Sequence, residues 1–162
     1  MGTTFTVELP IATDSSRPDS YDSFDDLAEN DLGNASFNVR NIVYIEHNNE
    51  HVELIKTVVE ALGIGFCTAR NGRQGVELVQ KILPELVILN ILLPDMTGSE
   101  VMTILRANLE TANIPIVIVS GGASENKIRR MLALGAVAYL PKPLDLDRLR
   151  YIVEANSNTV RL

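Results

Sequence analysis

Five polar residues stand just after apolar runs and could do chemistry together. Glu46 and His47 follow Ile42-Val43-Tyr44-Ile45, and Asn90 follows Leu86-Val87-Ile88-Leu89. Ser120 follows Ile116-Val117-Ile118-Val119, and Lys142 comes shortly after Ala138-Tyr139-Leu140. Together they offer one carboxylate, one imidazole, one amide, one hydroxyl and one ammonium. A single carboxylate beside a lysine makes a nearly neutral cluster with little pull on a divalent cation. Mg²⁺ wants hard oxygen ligands, whereas imidazole suits Zn or Cu. His47 and His51 are four apart, but one belongs to a loop and the other to the start of a helix, with no third ligand nearby, so no metal site is expected. Gly121-Gly122 loosens the loop after Ser120 and is no phosphate cradle, since neither GxGxxG nor a P-loop surrounds it. Cys67 is the one cysteine, which rules out an internal disulfide and suits a small packed hydrophobe.

The elements that must position these residues are legible as five cycles of short apolar strand and amphipathic helix. The expected strands are 42–45, 65–69, 86–89, 116–119 and 138–140. The uninterrupted aliphatic third run implies burial on both faces. The expected helices run from about Glu50 to Leu62, Arg73 to Leu83, Ser99 to Leu109 and Ser124 to Leu134, and a last one is capped by Asp145. Gly63 and Pro84 are natural stops. In the fourth helix Ile128, Met131 and Leu132 are expected to face inward. Alternation at this spacing predicts an α/β fold, a flavodoxin-like doubly wound sheet of five parallel strands in order 2-1-3-4-5 with helices on both faces. Sites in that topology form beyond the carboxyl ends of the strands, where all five polar residues fall.

Charge divides the chain differently. Residues 1–40 carry eight acids against Arg17 and Arg40, while residues 41–162 carry 13 acids and 12 bases, so the first segment holds nearly all of the net −7. A near-neutral body lacks the electrostatic footprint of a nucleic-acid binder. No apolar run is long enough for a membrane span, and no secretory signal opens the chain, so a reducing cytoplasm is expected. Residues 1–39 read as an acidic disordered arm, 40–156 as the folded domain and 157–162 as a short tail. Within the arm Tyr21, Phe24 and Leu27 recur every third residue, as in a short helix that folds onto a groove.

Four stretches in order resemble the receiver domain of two-component response regulators: Ile42–Asn48, Pro84–Gly98, Ile114–Gly121 and Gly135–Pro143, a likeness covering about residues 41–155. By that resemblance Glu46 matches the first acid of the family's acidic pair, Ser120 the switch hydroxyl, Tyr139 the switch aromatic and Lys142 the lysine. His47 stands where the second acid is expected, and Asn90 where an aspartate receives the phosphoryl group. A neutral amide oxygen lacks the nucleophilicity to hold an acyl phosphate, and a pocket with one acid instead of three is poor for Mg²⁺.

The resemblance therefore implies a pseudo-receiver that is no enzyme, takes no cofactor, and works by protein binding without aspartyl phosphorylation. With few residues after Ala155, it is expected to act alone, on a sensor kinase, another regulator or a second copy of itself. The family's usual contact face implies the surface near Lys127, Arg129, Arg130, Tyr139, Pro141, Asp147 and Arg148, with the arm as a second contact. Lys142 is expected to tie Glu46 to the Asn90 amide, Asp95 to bond its local backbone, and Lys142-Pro143 to be cis as is common in the family. Two other readings compete: phosphotransfer to a displaced acceptor such as Ser120 or Asp95, and small-ligand binding at the strand carboxyl ends.

Overall fold

The computed structural model describes residues 40–157. The arm with Tyr21, Phe24 and Leu27, and residues 158–162, lie outside the described residues.

Five strands, β1 (Asn41–Ile45), β2 (Gly65–Ala69), β3 (Leu86–Asn90), β4 (Ile116–Ser120) and β5 (Ala138–Pro141), alternate with five helices. The helices are α1 (Asn49–Ala61), α2 (Gly72–Ile82), α3 (Gly98–Ala107), α4 (Glu125–Ala133) and α5 (Leu146–Ser157). All strands pair in parallel, in the order β2-β1-β3-β4-β5, as the cycles predict. The chain order reverses between β1 and β3, so Glu46 and Asn90 emerge side by side at that switch point.

Alternation along β1 sorts the core into two layers. Val43 and Ile45 pack with Val76, Val79, Val101 and Leu105 of α2 and α3. Ile42 and Tyr44 pack with Ile55, Val59, Leu149 and Val153 of α1 and α5. The central strands β3 and β4 are buried throughout, as a parallel sheet covered on both faces requires. Helix α2 lies against β1 so closely that a methyl group on Gly75 would sit 2.7 Å from Ile45 Cγ1.

Each helix begins at a side chain that accepts from its first amides. Asn48, Asn71, Thr97 and Ser124 cap the first four, and Thr97 forms a reciprocal box with Glu100. Asp145 Oδ1 accepts from the Asp147 and Arg148 amides, as expected of the last cap.

Two local expectations are corrected. Helix α3 stops at Ala107 and not at Leu109, because Asn108 turns to accept from the Glu110 amide and the buried Thr111 hydroxyl donates to the Leu105 carbonyl. Leu109 is left 92% exposed. Leu132 does not face inward: Met131 takes the core position, and the next residue, about 100° round the helix, is 43% exposed. Helix α5 extends through Ser157, whose carbonyl accepts from Arg40 Nη1 at 2.9 Å. Among the described residues, no helix is long and apolar enough to cross a membrane.

Candidate functional site

Glu46 is the hub of the site. It leaves β1 on the same side as Tyr44, is 1% exposed, and has both carboxylate oxygens fully engaged. Oε1 accepts from the Asn48 amide at 3.0 Å and lies 3.2 Å from His47 Nδ1. Oε2 accepts from the Tyr44 hydroxyl at 3.0 Å and from Lys142 Nζ at 2.8 Å. The Asn90 amide nitrogen, donated from the end of β3, reaches both oxygens at 3.0 and 3.1 Å.

The remaining polar atoms follow from this hub. Asn90 Oδ1 accepts from the Leu92 amide at 3.1 Å, so the amide is oriented with its nitrogen toward the carboxylate. Lys142 Nζ also lies 2.8 Å from His51 Nδ1. An ammonium has only donors, so His51 Nδ1 is the accepting atom in that contact. The ammonium thus bridges His51 and Glu46, whose closest atoms are 3.3 Å apart. The peptide bond from Lys142 to Pro143 is cis.

Burial alone pushes the Glu46 carboxyl upward. The hydrogen bond from Lys142, those from the Asn48 amide and Asn90, and the Lys142 charge outweigh it and hold the carboxyl at about 2. Tyr44 shifts the other way, far above the usual phenol range, because it is buried and its hydroxyl faces a carboxylate.

The sequence-selected residues therefore converge, with two differences. Lys142 reaches Glu46 and His51, whereas Asn90 is joined to it only through the shared carboxylate. Asp95 bonds beyond its own turn: its carboxylate accepts from the Gly72 and Arg73 amides at 2.7 and 2.9 Å, capping α2 from the β3–α3 loop. These amides, offsetting the burial that would raise it, hold its carboxyl below the ordinary value. Ser120 is buried and its hydroxyl has no protein partner among the described residues. Tyr139 is half-buried and donates to the Ser120 carbonyl at 3.0 Å, which turns its hydroxyl toward β4.

Tyr44 is a site residue that the sequence reading passed over, and His51 entered that reading only as a rejected metal ligand beside His47. The signal for Tyr44 was strand parity, since residues two apart project to one face. For His51 it was its place in the first turn of a helix that begins beside the strand ends. The expected contact residues on α4 divide between two sides: Lys127 and Arg130 line a groove toward α3, whereas Arg129 pairs with Glu125 at 3.5 Å.

With five parallel strands in this order and polar residues gathered at their carboxyl ends, comparison with known proteins is decisive about class. Residues 42–154 match the response regulator receiver domain family, and the chain belongs to it. Among curated relatives, the polar-differentiation response regulator DivK of Brucella anthropi is 28% identical over 109 residues, covering 67% of this chain and 89% of that protein. Among solved structures, the Francisella response regulator 1452 receiver domain superposes with a TM-score of 0.67 at 25% identity, covering 75% of this chain and 99% of that one. The chemotaxis response regulator CheY4 of Vibrio cholerae gives 0.67 at 21% identity over 72% of this chain and 98% of that one. The fold is that of a receiver domain of two-component signalling.

Proposed function

We propose that this receiver signals by protein binding in the cytosol, without phosphorylation at the Asn90 position and without catalysis of its own. Glu46 carries the reading. Its two oxygens are taken by the Asn90 amide, the Lys142 ammonium, the Tyr44 hydroxyl and the Asn48 amide. The donor set does not suit Mg²⁺. The ammonium is already seated on Glu46, Asn90 presents N–H groups inward, and the nearest other side chains are imidazoles. Asn90 has no carboxylate oxygen with which to attack phosphorus. The alternative acceptors are poorly disposed: the Asp95 oxygens are bound to the α2 amides, and Ser120 is 1% exposed.

The contact surface is the one formed by α4, β5 and α5. Arg129, Leu132, Val137, Arg148 and Tyr151 are exposed along it. A sensor kinase, another regulator or a second copy is the partner this face serves.

Intact mass after incubation with Mg²⁺ and a small acyl-phosphate donor tests the proposal, run beside Asn90→Asp. The natural protein is expected to keep its mass. A phosphoryl adduct on it would overturn the reading, and the adduct's position would name the displaced acceptor.

A further inference from the structure

A groove of about 690 Å³ lies between α3 and α4, apart from the Glu46 cluster. Its floor is Ile91 and Met131, and the exposed side chains of Leu92 and Ile104 form its apolar walls. Lys127 and Arg130 stand on its rim, and neither makes an ion pair among the described residues. The groove's one acid, Glu100, is committed to the α3 cap, where its Oε2 accepts from the Thr97 amide and hydroxyl, each at 2.8 Å. The groove is thus apolar within and positive at its edge.

The chain itself carries a segment of the opposite character. Between Arg17 and Arg40 lie Asp19, Asp22, Asp25, Asp26, Glu29 and Asp31 with no base, and they surround Tyr21, Phe24 and Leu27. Three apolar side chains at every third position give one face of a short helix, a form that apolar grooves accept.

We propose that the α3–α4 groove is the docking site of this chain's own segment Asp19–Asp31, with Tyr21, Phe24 and Leu27 on the Leu92 and Ile104 walls and the flanking aspartates at Lys127 and Arg130. Reach is sufficient. The 13 residues from Leu27 to Arg40 span up to about 43 Å when extended, and β1 itself is only about 17 Å long. A tether of that length supplies a local concentration in the millimolar range, so a weak contact is well populated. Docking covers Arg130, which also borders the α4 contact surface, so the segment and a partner compete for it.

The test uses the full chain with a nitroxide at Ser23→Cys in a Cys67→Ala background. Methyl resonances of Ile104 and Met131 are expected to lose most of their intensity to the spin label, while those of Val52 on α1 keep theirs. Charge reversal at Lys127→Glu and Arg130→Glu is expected to restore the lost intensity, and adding Asp25→Lys and Asp26→Lys to abolish it again. Molar salt weakens the effect, because screening shortens the reach of the rim charges to about 3 Å. Unbroadened Ile104 and Met131 methyls in the labelled natural background would overturn the proposal. So would broadening that transfers fully to an unlabelled copy in a mixed sample, which would make a second chain the occupant.

Discussion

Replacing Asn90 by aspartate exchanges a donor for a charge at the one point where the site has no room for it. The Asn90 nitrogen lies 3.0 and 3.1 Å from the two Glu46 oxygens. In Asn90→Asp an oxygen takes its place, two hydrogen bonds vanish, and two carboxylates face each other with charge centres about 4 Å apart. At an effective dielectric of about 20 that repulsion is about 4 kcal/mol. The Lys142 ammonium at 2.8 Å offsets part of it, and the net expected loss is about 3 kcal/mol at pH 8 without divalent cations. For a domain of this size that lowers Tm by about 10 °C.

The pH dependence carries the sign. The introduced carboxyl and Glu46 cannot both stay charged cheaply in the folded state, so one of them holds its proton to higher pH there than in the unfolded chain. The deficit is therefore full at alkaline pH, shrinks as pH falls through the raised folded value, and is smallest near the unfolded carboxylate value of about 4. Urea unfolding of both proteins in EDTA, at pH 8, 6.5 and 5, measures it. Equal stability at pH 8, or a gap that widens on acidification, would refute the electrostatic account of Glu46.

Four other perturbations follow from the same structure. Lys142→Met leaves Glu46 buried without its only lysine, and a loss of about 3 kcal/mol is expected in urea unfolding at pH 7. In the natural protein the drop of the Glu46 carboxyl from 4.5 to about 2 contributes about 3 kcal/mol above pH 4.5, lost as pH falls toward 2; acid unfolding should show it, and Glu46→Gln should flatten that limb. Gly75→Ala improves helix propensity yet drives a methyl into Ile45, so a net loss of about 1–3 kcal/mol is expected by thermal unfolding. Leu83 closes α2 at φ 48° with an exposed side chain, so Leu83→Gly relieves the left-handed backbone and should gain about 0.5–1 kcal/mol in the same assay.

The sheet was legible because each strand is a short apolar run set off from an amphipathic helix, and a parallel sheet demands that pattern. The polar residues at the strand ends were legible for the same reason, as breaks in apolar runs. What escaped was contact across long separations. Lys142 and His51 are 91 residues apart, and their meeting depends on how the first turn of α1 and the loop after β5 pack, which no local periodicity encodes. Asp95 read as a turn residue because its reach to α2 is a property of the folded loop. Leu132 was misassigned by a smaller error: helical periodicity allows either of two adjacent residues inward, and only packing into the core layer that holds Ile91 and Met102 selects Met131.

Asp95 has a mechanical consequence. Its carboxylate grips the first amides of α2 while its backbone belongs to the loop that also carries the Leu92 amide bonded to Asn90. The loop is therefore a strut, anchored to β3 at one end and to α2 at the other. Asn90 is thereby coupled to α2 through this loop, as it is to Lys142 beyond β5 through the Glu46 carboxylate. The mouth of the sheet and the start of α2 are thus tied through one loop, and because such coupling is reciprocal, a partner that moved α2 would pull on the same strut from the other end.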